Sequence, residues 1–268
     1  MGNATLIWLL ITSLLAVGFG ITCALLYKRS LRLEKLVENT TDKLQHLQLH
    51  FERFAPPNVV ENLTLGSAML KPNRRAVTVL FADLKGFTGM CEQMEPEDTV
   101  TILNGYFQAM NKVIKEHHGR VTELLGDGML ALFGALESNP WQARDAVNGA
   151  LSMRAALVEY NASLRERQLP ELTIGIGIHR GEVQAGVMGN ADLSKFAVVG
   201  DVVNTASRVE SLTRTMEVDL LVTDEVKQEL DANYHLREMP PASVKGKALP
   251  LITYHVEGYV DAKYEGSL

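Results

Sequence analysis

The sequence predicts an α+β domain built on one largely antiparallel sheet, preceded by a transmembrane helix and a coiled-coil helix. Three observations predict it. The run from Ala4 to Tyr27 carries no charge, the residues after it place apolar side chains at alternating steps of four and three, and from Arg74 onward strand-like and helix-like patterns alternate. At 268 residues and 46% hydrophobic composition, the chain accommodates one sizeable globular domain with attachments and hardly two.

The uncharged run is long enough to cross the hydrocarbon core of a bilayer as a helix. No basic stretch precedes it, and it exceeds the usual core of a signal peptide, which separates it from a cleaved leader. Lys28, Arg29, Arg32 and Lys35 crowd its C-terminal end. The positive-inside rule then leaves a very short N-terminal tail outside the cell (inner) membrane and everything after the span in the cytoplasm. The chain divides into a single span with short flanks (1–28), a dimeric signalling coiled coil (29–55), a linker (56–73), a globular domain (74–257) and a C-terminal tail (258–268).

Leu33, Val37, Thr40, Leu44, Leu47, Phe51 and Phe54 form a heptad seam. An amphipathic helix packed on its own domain is the alternative, but two chains anchored in one orientation align such seams directly as a parallel coil, which makes the protein a homodimer. Pro56 and Pro57 end the helix at Ala55. A net charge of −6 gives no global basic field, so no nucleic-acid partner is expected. Cys23 and Cys91 have neither metal-ligand spacing nor a disulfide framework, which suits a reducing compartment.

Within the globular domain, Ala76 to Phe81 is a continuous apolar strand running out at Asp83. Pro96 to His118 is a helix, with Pro96, Glu97 and Asp98 in its first turn. Val121 to Leu125 and Met129 to Phe133 flank Gly126-Asp127-Gly128 as a hairpin. A long helix covers Trp141 to Arg167. Strands follow at Leu172 to Ile178, Val183 to Val187 and Phe196 to Val199, then a helix at Asp201 to Thr213. Asp219 to Val222 is a strand, Asp224 to Leu230 a short helix, and Tyr234 to Glu238 and Leu251 to Val256 are the closing strands.

Two carboxylates stand where a sheet can bring them together. Asp83 closes an apolar strand, and Asp127 sits in the hairpin turn. Carboxylates meeting at a sheet edge repel, and a pair of divalent cations removes that repulsion while binding a triphosphate. Each aspartate alone has an ordinary structural explanation, as a cap or as the centre of a tight turn. Gly86, ahead of Phe87 and Thr88, precedes a helix start whose backbone amides suit phosphate oxygens.

No Walker pattern is present, which excludes a P-loop enzyme, and Gly175, Gly177 and Gly181 lack the dinucleotide spacing. Those glycines are read as close backbone packing in a strand. Asn204 and Arg208 are spaced i, i+4, so both can point into one cleft where a guanidinium stabilises phosphoryl charge. Lys245 and Lys247 either bind phosphate from a loop or are simply solvated. His179 is expected to be a structural hydrogen-bonding residue.

Taken together, FADLKGFT (Phe81 to Thr88), LLGDGMLALFG (Leu124 to Gly134), GIGIHRGEV (Gly175 to Val183) and VVGDVVNTASRVE (Val198 to Glu210) resemble the class III nucleotidyl cyclases, the adenylyl and guanylyl cyclase catalytic domain. The strings keep the family's order and spacing over about Arg74 to Val256. FERFAPP at the end of the seam helix looks like the element that precedes this domain in bacterial one-span members. The resemblance implies a ferredoxin-like catalytic domain over 74–257 that converts ATP to 3′,5′-cyclic AMP and pyrophosphate. It also implies two Mg2+ or Mn2+ ions per active site, held by Asp83, Asp127 and the Leu84 carbonyl. Asn204 would orient the ribose and Arg208 would stabilise the transition state, both from the second protomer, while Lys245 or Lys247 would hold the β- and γ-phosphates.

The base-reading positions depart from the adenylyl pattern. Glu123 stands where adenylyl members usually carry lysine, and Ala197 where they carry Asp or Thr. A carboxylate only accepts, so Glu123 suits the N1–H and amine of guanine, or the adenine amine alone. Ala197 offers neither base a hydrogen bond, and neighbouring Lys195 is a candidate for guanine O6. GTP therefore stays open beside ATP, and a catalytically degenerate, nucleotide-binding signalling domain is the non-enzymatic alternative. Retention of Asp83, Asp127, Asn204 and Arg208 weighs against that alternative.

Overall fold

The computed structural model describes residues 73–189, 194–244 and 249–260, together with single helical positions at Lys28, Arg29, Arg32, Lys35 and Lys43. Two compact units divide the chain, Met1–Ala68 and Met69–Leu268. The expected span, seam and linker lie outside the described residues, as do 261–268 of the tail. Among the described residues, no helix is long and apolar enough to cross a membrane.

The second unit is a mixed α+β domain with an open sheet. In chain order it contains β1 (Asn73–Leu84), α1 (Phe87–Cys91), α2 (Pro96–Glu116), β2 (Arg120–Leu125), β3 (Gly128–Phe133) and α3 (Gln142–Glu166). There follow β4 (Ile174–Gly189), β5 (Ser194–Val199), α4 (Asp201–Thr215), β6 (Leu220–Thr223), α5 (Asp224–Lys227), β7 (Tyr234–Glu238) and β8 (Thr253–Tyr259). The sheet runs β2-β3-β1-β4-β6-β8-β7, with β5 pairing on β4 beyond that path. Only β4 with β6 is parallel among these pairs, so the expected antiparallel character holds with one exception.

Side-chain alternation explains why helices cover both faces. Along β1, Leu80, Ala82 and Leu84 join the larger core with Ile102, Tyr106, Met110 and Ile114 of α2 and Ala146, Ala150 and Met153 of α3. Val77 and Val79 point the other way, to a second cluster with Val202 and Ala206 of α4. The buried positions of α2, Ile102, Tyr106, Met110, Val113 and Ile114, recur at steps of three and four and form one stripe of a 3.6-residue repeat. Each such side chain stabilises the fold by about 1.5–3 kcal/mol on burial.

Strand β4 repeats the alternation in an extreme form. Ile174, Ile176 and Ile178 enter the larger core, while Gly175, Gly177 and Gly181 face α4. A Cβ at Gly177 would overlap the Glu210 backbone, and one at Gly181 would press on Val202. The glycines are therefore close-packing positions, as the sequence pattern suggested.

One expectation fails here: Leu172 to Ile178 and Val183 to Val187 are not two strands but one. His179, Arg180 and Gly181 continue the ladder opposite Val79, Thr78 and Val77. The polar break is absorbed by side chains, since the buried His179 ring shares a 2.8 Å hydrogen bond with Thr223 Oγ1 and Arg180 pairs with Glu229 at 3.1 Å. The last strand also starts two residues later than expected, because Leu251 is spent on an isolated bridge to Ala242.

Gly177→Ala is expected to lower unfolding stability by about 3 kcal/mol or more, because backbone atoms on α4 cannot rotate out of the way. Gly258→Ala, which meets nothing within 4 Å, is the control and should change stability by less than about 1 kcal/mol in the same denaturant titration.

Candidate active site

The candidate site forms where β1 ends. Asp83 is the next-to-last residue of that strand and lies on the face occupied by α4, two positions beyond Phe81. The adjacent strand β3 starts at Gly128, one residue after Asp127, and pairs with β1 so that Met129 opposes Ala82. An ideal Cβ at Gly128 would stand 3.0 Å from Asp83 Oδ1, so the absence of a side chain there makes room for the first carboxylate beside the second. Gly126, at φ 66°, supplies the left-handed turn that aims Asp127 back toward β1. Partial burial raises the Asp127 pKa, and the Asp83 charge adds to that rise.

Leu84 is buried and paired with Ile174, so its backbone, adjacent to Asp83, is held by the sheet. Gly86 caps α1 in the left-handed region at φ 70°. The Phe87 side chain packs into the larger core, which leaves only its backbone for a ligand. Gly86 and Thr88 are exposed.

Asn204 and Arg208 lie on α4, with Asn204 exposed and Arg208 partly buried. The guanidinium is 3.8 Å from Asp201, and its Nη1 is buried without a hydrogen bond. These residues do not meet the aspartates of their own chain. It is the other end of α4 that reaches Asp83, through Arg214, and Asn204 stands ten residues, about 15 Å of helix, from that point.

Glu123 is half-buried on β2, opposite Leu130, next to a bulge that separates it from Val121. Ala197 is on β5, opposite Gly186 of β4, and Lys195 occupies β5 opposite Met188. Lys245 and Lys247 fall outside the described residues.

Sequence reasoning missed the charged layer behind Asp83. Arg214 is ion-paired with the Asp83 carboxylate and lies 4.0 Å from Glu210 Oε1. Glu210 is 3% exposed, and burial, reinforced by Asp83, pushes its carboxyl up to about 7. Lys85 is turned away from the aspartates: its Nζ donates to the Val218 carbonyl at 2.7 Å, and burial lowers its pKa. Tyr106 is fully buried with an unpaired hydroxyl, and burial together with the charges of Asp83, Asp127 and Glu210 raises its pKa. A signal did exist: Glu210 and Arg214 have the same i, i+4 spacing as Asn204 and Arg208.

The donor chemistry fits a hard divalent cation. Two carboxylates lie near each other at the end of β1; burial is the main cause of the raised Asp127 pKa, and the Asp83 charge adds a repulsion that such an ion relieves. Among the described residues, no group of three or more His, Cys, Asp or Glu is placed to hold a metal. The set is therefore incomplete without oxygen donors from a substrate or water, as suits Mg2+ or Mn2+ at a phosphate site.

Residues 69–258 match the model of the adenylate and guanylate cyclase catalytic domain. The chain belongs to this family. An adenylate cyclase of Anabaena cylindrica is 34% identical over 232 residues, covering 81% of this chain and 44% of that protein. The chain thus spans less than half the length of that relative. Among solved structures, the guanylyl cyclase Cya2 is 35% identical with a TM-score of 0.65, over 72% of this chain and 97% of that one. The adenylyl cyclase CyaB from P. aeruginosa is 27% identical with a TM-score of 0.67, over 74% of this chain and all of the other. This cyclase domain therefore has relatives of both base specificities.

The pH dependence of stability tests the Glu210 environment. Its folded pKa is raised, so its contribution is fully present below the unfolded value of 4.5 and is lost as pH rises through about 7. In metal-free buffer, Glu210→Gln should equal the native chain in stability near pH 4.5 and exceed it above pH 7 by on the order of 2 kcal/mol. Parallel stability curves across that range would contradict this account.

Proposed function

We propose that the chain is a membrane-anchored adenylate cyclase that works as a homodimer and forms 3′,5′-cyclic AMP and pyrophosphate from ATP. The observation that carries the proposal is the convergence of Asp83 and Asp127 at the end of β1, with Asn204 and Arg208 held apart from them on α4. One chain then supplies two incomplete halves, and a second chain is needed to complete each. A heptad seam after the membrane span brings two chains together in parallel. The basic residues Lys28, Arg29, Arg32 and Lys35 after the span support a cytoplasmic catalytic domain.

In this reaction the ribose 3′-oxygen bonds to the α-phosphorus, the bond from that phosphorus to the pyrophosphate oxygen breaks, and the hydroxyl proton passes to water. Two Mg2+ or Mn2+ ions, when bound, lower the pKa of that hydroxyl and neutralise the pyrophosphate. Asp83, Asp127 and the Leu84 carbonyl would hold them. Asn204 orients the ribose by hydrogen bonding, and Arg208, whose Nη1 is buried without a partner, meets the charge developing on the α-phosphoryl oxygens. The amides of Gly86, Phe87 and Thr88 contact phosphate, and Lys245 or Lys247 neutralises the β- and γ-phosphates.

The names of the adenylate cyclase relatives support ATP. GTP is the second reading, and Glu123 favours it, since a carboxylate accepts from both the N1–H and the amine of guanine. The likeness to the guanylyl cyclase Cya2 supports the same alternative. Ala197 and Lys195 complete the base pocket in either case.

The purified chain in detergent, given Mn2+ and each of ATP, GTP, CTP and UTP, should release pyrophosphate with cyclic AMP as the main product. Asp127→Ala should lower that rate by about a thousandfold or more, as expected when charge stabilisation at the phosphates is lost. Cyclic GMP as the main product would replace the ATP reading by the GTP one. No cyclic product from any triphosphate would overturn the enzyme reading.

A further inference from the structure

The layer behind Asp83 contains a cation that the cyclisation chemistry does not use. Arg214, in the last turn of α4, is ion-paired with Asp83, the carboxylate that the divalent-ion reading requires for metal. Its side chain is 47% exposed, so it is free to swing on a flexible stem. One helical turn earlier, Glu210 offers a second carboxylate. That group is nearly fully buried, its Oε1 makes no hydrogen bond, and Arg214 is 4.0 Å from it.

An orphaned, buried carboxylate oxygen is costly to leave unpaired. One other cation, Lys85, lies close enough to feel the Glu210 charge. Its Nζ, however, donates to the carbonyls of Val218 and Thr213 and makes no hydrogen bond to Oε1. The Ser211 hydroxyl donates to Oε2, not Oε1, at 3.5 Å. Thr213 Oγ1 is itself buried and unpaired, close to the same point over Gly175. The vacant acceptor on Glu210 therefore faces Arg214.

We propose that Arg214 is the resident counter-cation of the metal centre: it neutralises Asp83 in the metal-free chain and transfers to Glu210 when a divalent ion takes its place. Metal binding is then an exchange of one cation for another, not the filling of a bare acidic pocket. This rests on the reading of Asp83 and Asp127 as metal ligands. The exchange keeps three carboxylates near one point, Asp83, Asp127 and Glu210, compensated in both states. It also makes Arg214 and Glu210 positioning residues that act through Asp83 without touching substrate.

The test is Mn2+ binding to the full chain without nucleotide, measured by the paramagnetic resonance of free Mn2+, together with thermal unfolding of the metal-free protein. Arg214→Gln should tighten Mn2+ binding about threefold to fivefold, the range a partly exposed ion pair can oppose. The same variant should lower the metal-free melting temperature, because Asp83 then faces Asp127 and Glu210 without a partner.

A purely structural arginine would lower the melting temperature and leave the Mn2+ affinity unchanged or weaker; that result would overturn the exchange. Glu210→Gln should weaken Mn2+ binding, and about threefold more in the native background than in Arg214→Gln, because only the native chain needs the landing site. Equal penalties in the two backgrounds would mean that Glu210 acts only through its field, and the transfer would fail. If neither the native chain nor Arg214→Gln binds Mn2+ in an Asp127-dependent way, the metal reading itself falls, and the exchange with it.

Discussion

The close approach of α4 to β4 sets the geometry on which the rest of the site depends. Gly175, Gly177 and Gly181 remove side chains from one face of the strand next to β1, and the backbone of α4 settles into the space. Because Gly175 pairs with Asp83, the C-terminal turn of the helix arrives at the first aspartate. The same contact fixes the opposite end of the helix, with Asn204 about 15 Å away and Arg208 about 9 Å away. A bulkier strand would hold the helix at an ordinary helix-on-sheet distance and lose the registration of both ends together.

Charge accounts for the next level of organisation. Asp83, Asp127 and Glu210 crowd one region of the domain, and the burial that raises Asp127 and Glu210 shows how poorly water serves them. Arg214 meets part of this cost from the edge of α4. Arg208, by contrast, lies 3.8 Å from Asp201 and has a buried Nη1 without a hydrogen bond among the described residues. The two arginines of one helix thus stand in different electrostatic states, one ion-paired with Asp83 and the other with a guanidinium nitrogen buried without a hydrogen bond.

Much of this was legible in the sequence because the governing patterns are local. The apolar run before Asp83, the Gly-Asp-Gly turn and the Ile-Gly alternation of β4 each report a strand, a turn or a packed face within a few residues. The i, i+4 pair Asn204 and Arg208 is likewise read from helical spacing. What escaped was what depends on tertiary contact. The continuity of β4 through His179 and Arg180 is decided by Thr223 and Glu229, which lie 44 and 49 positions beyond their respective partners. The role of Arg214 is set by Asp83, 131 positions earlier, and the core placement of Phe87 by α2 and its neighbours. No local pattern carries that information.

The central claim is that catalysis requires two chains, each contributing one half of every site. Chains carrying Asp127→Ala and chains carrying Arg208→Ala should each be nearly inactive alone. Mixed after separate purification and allowed to exchange, they should recover roughly a quarter of native activity, since half the dimers are mixed and each holds one intact site. Activity that stays at the level of the two single variants after exchange has been verified would contradict the shared site.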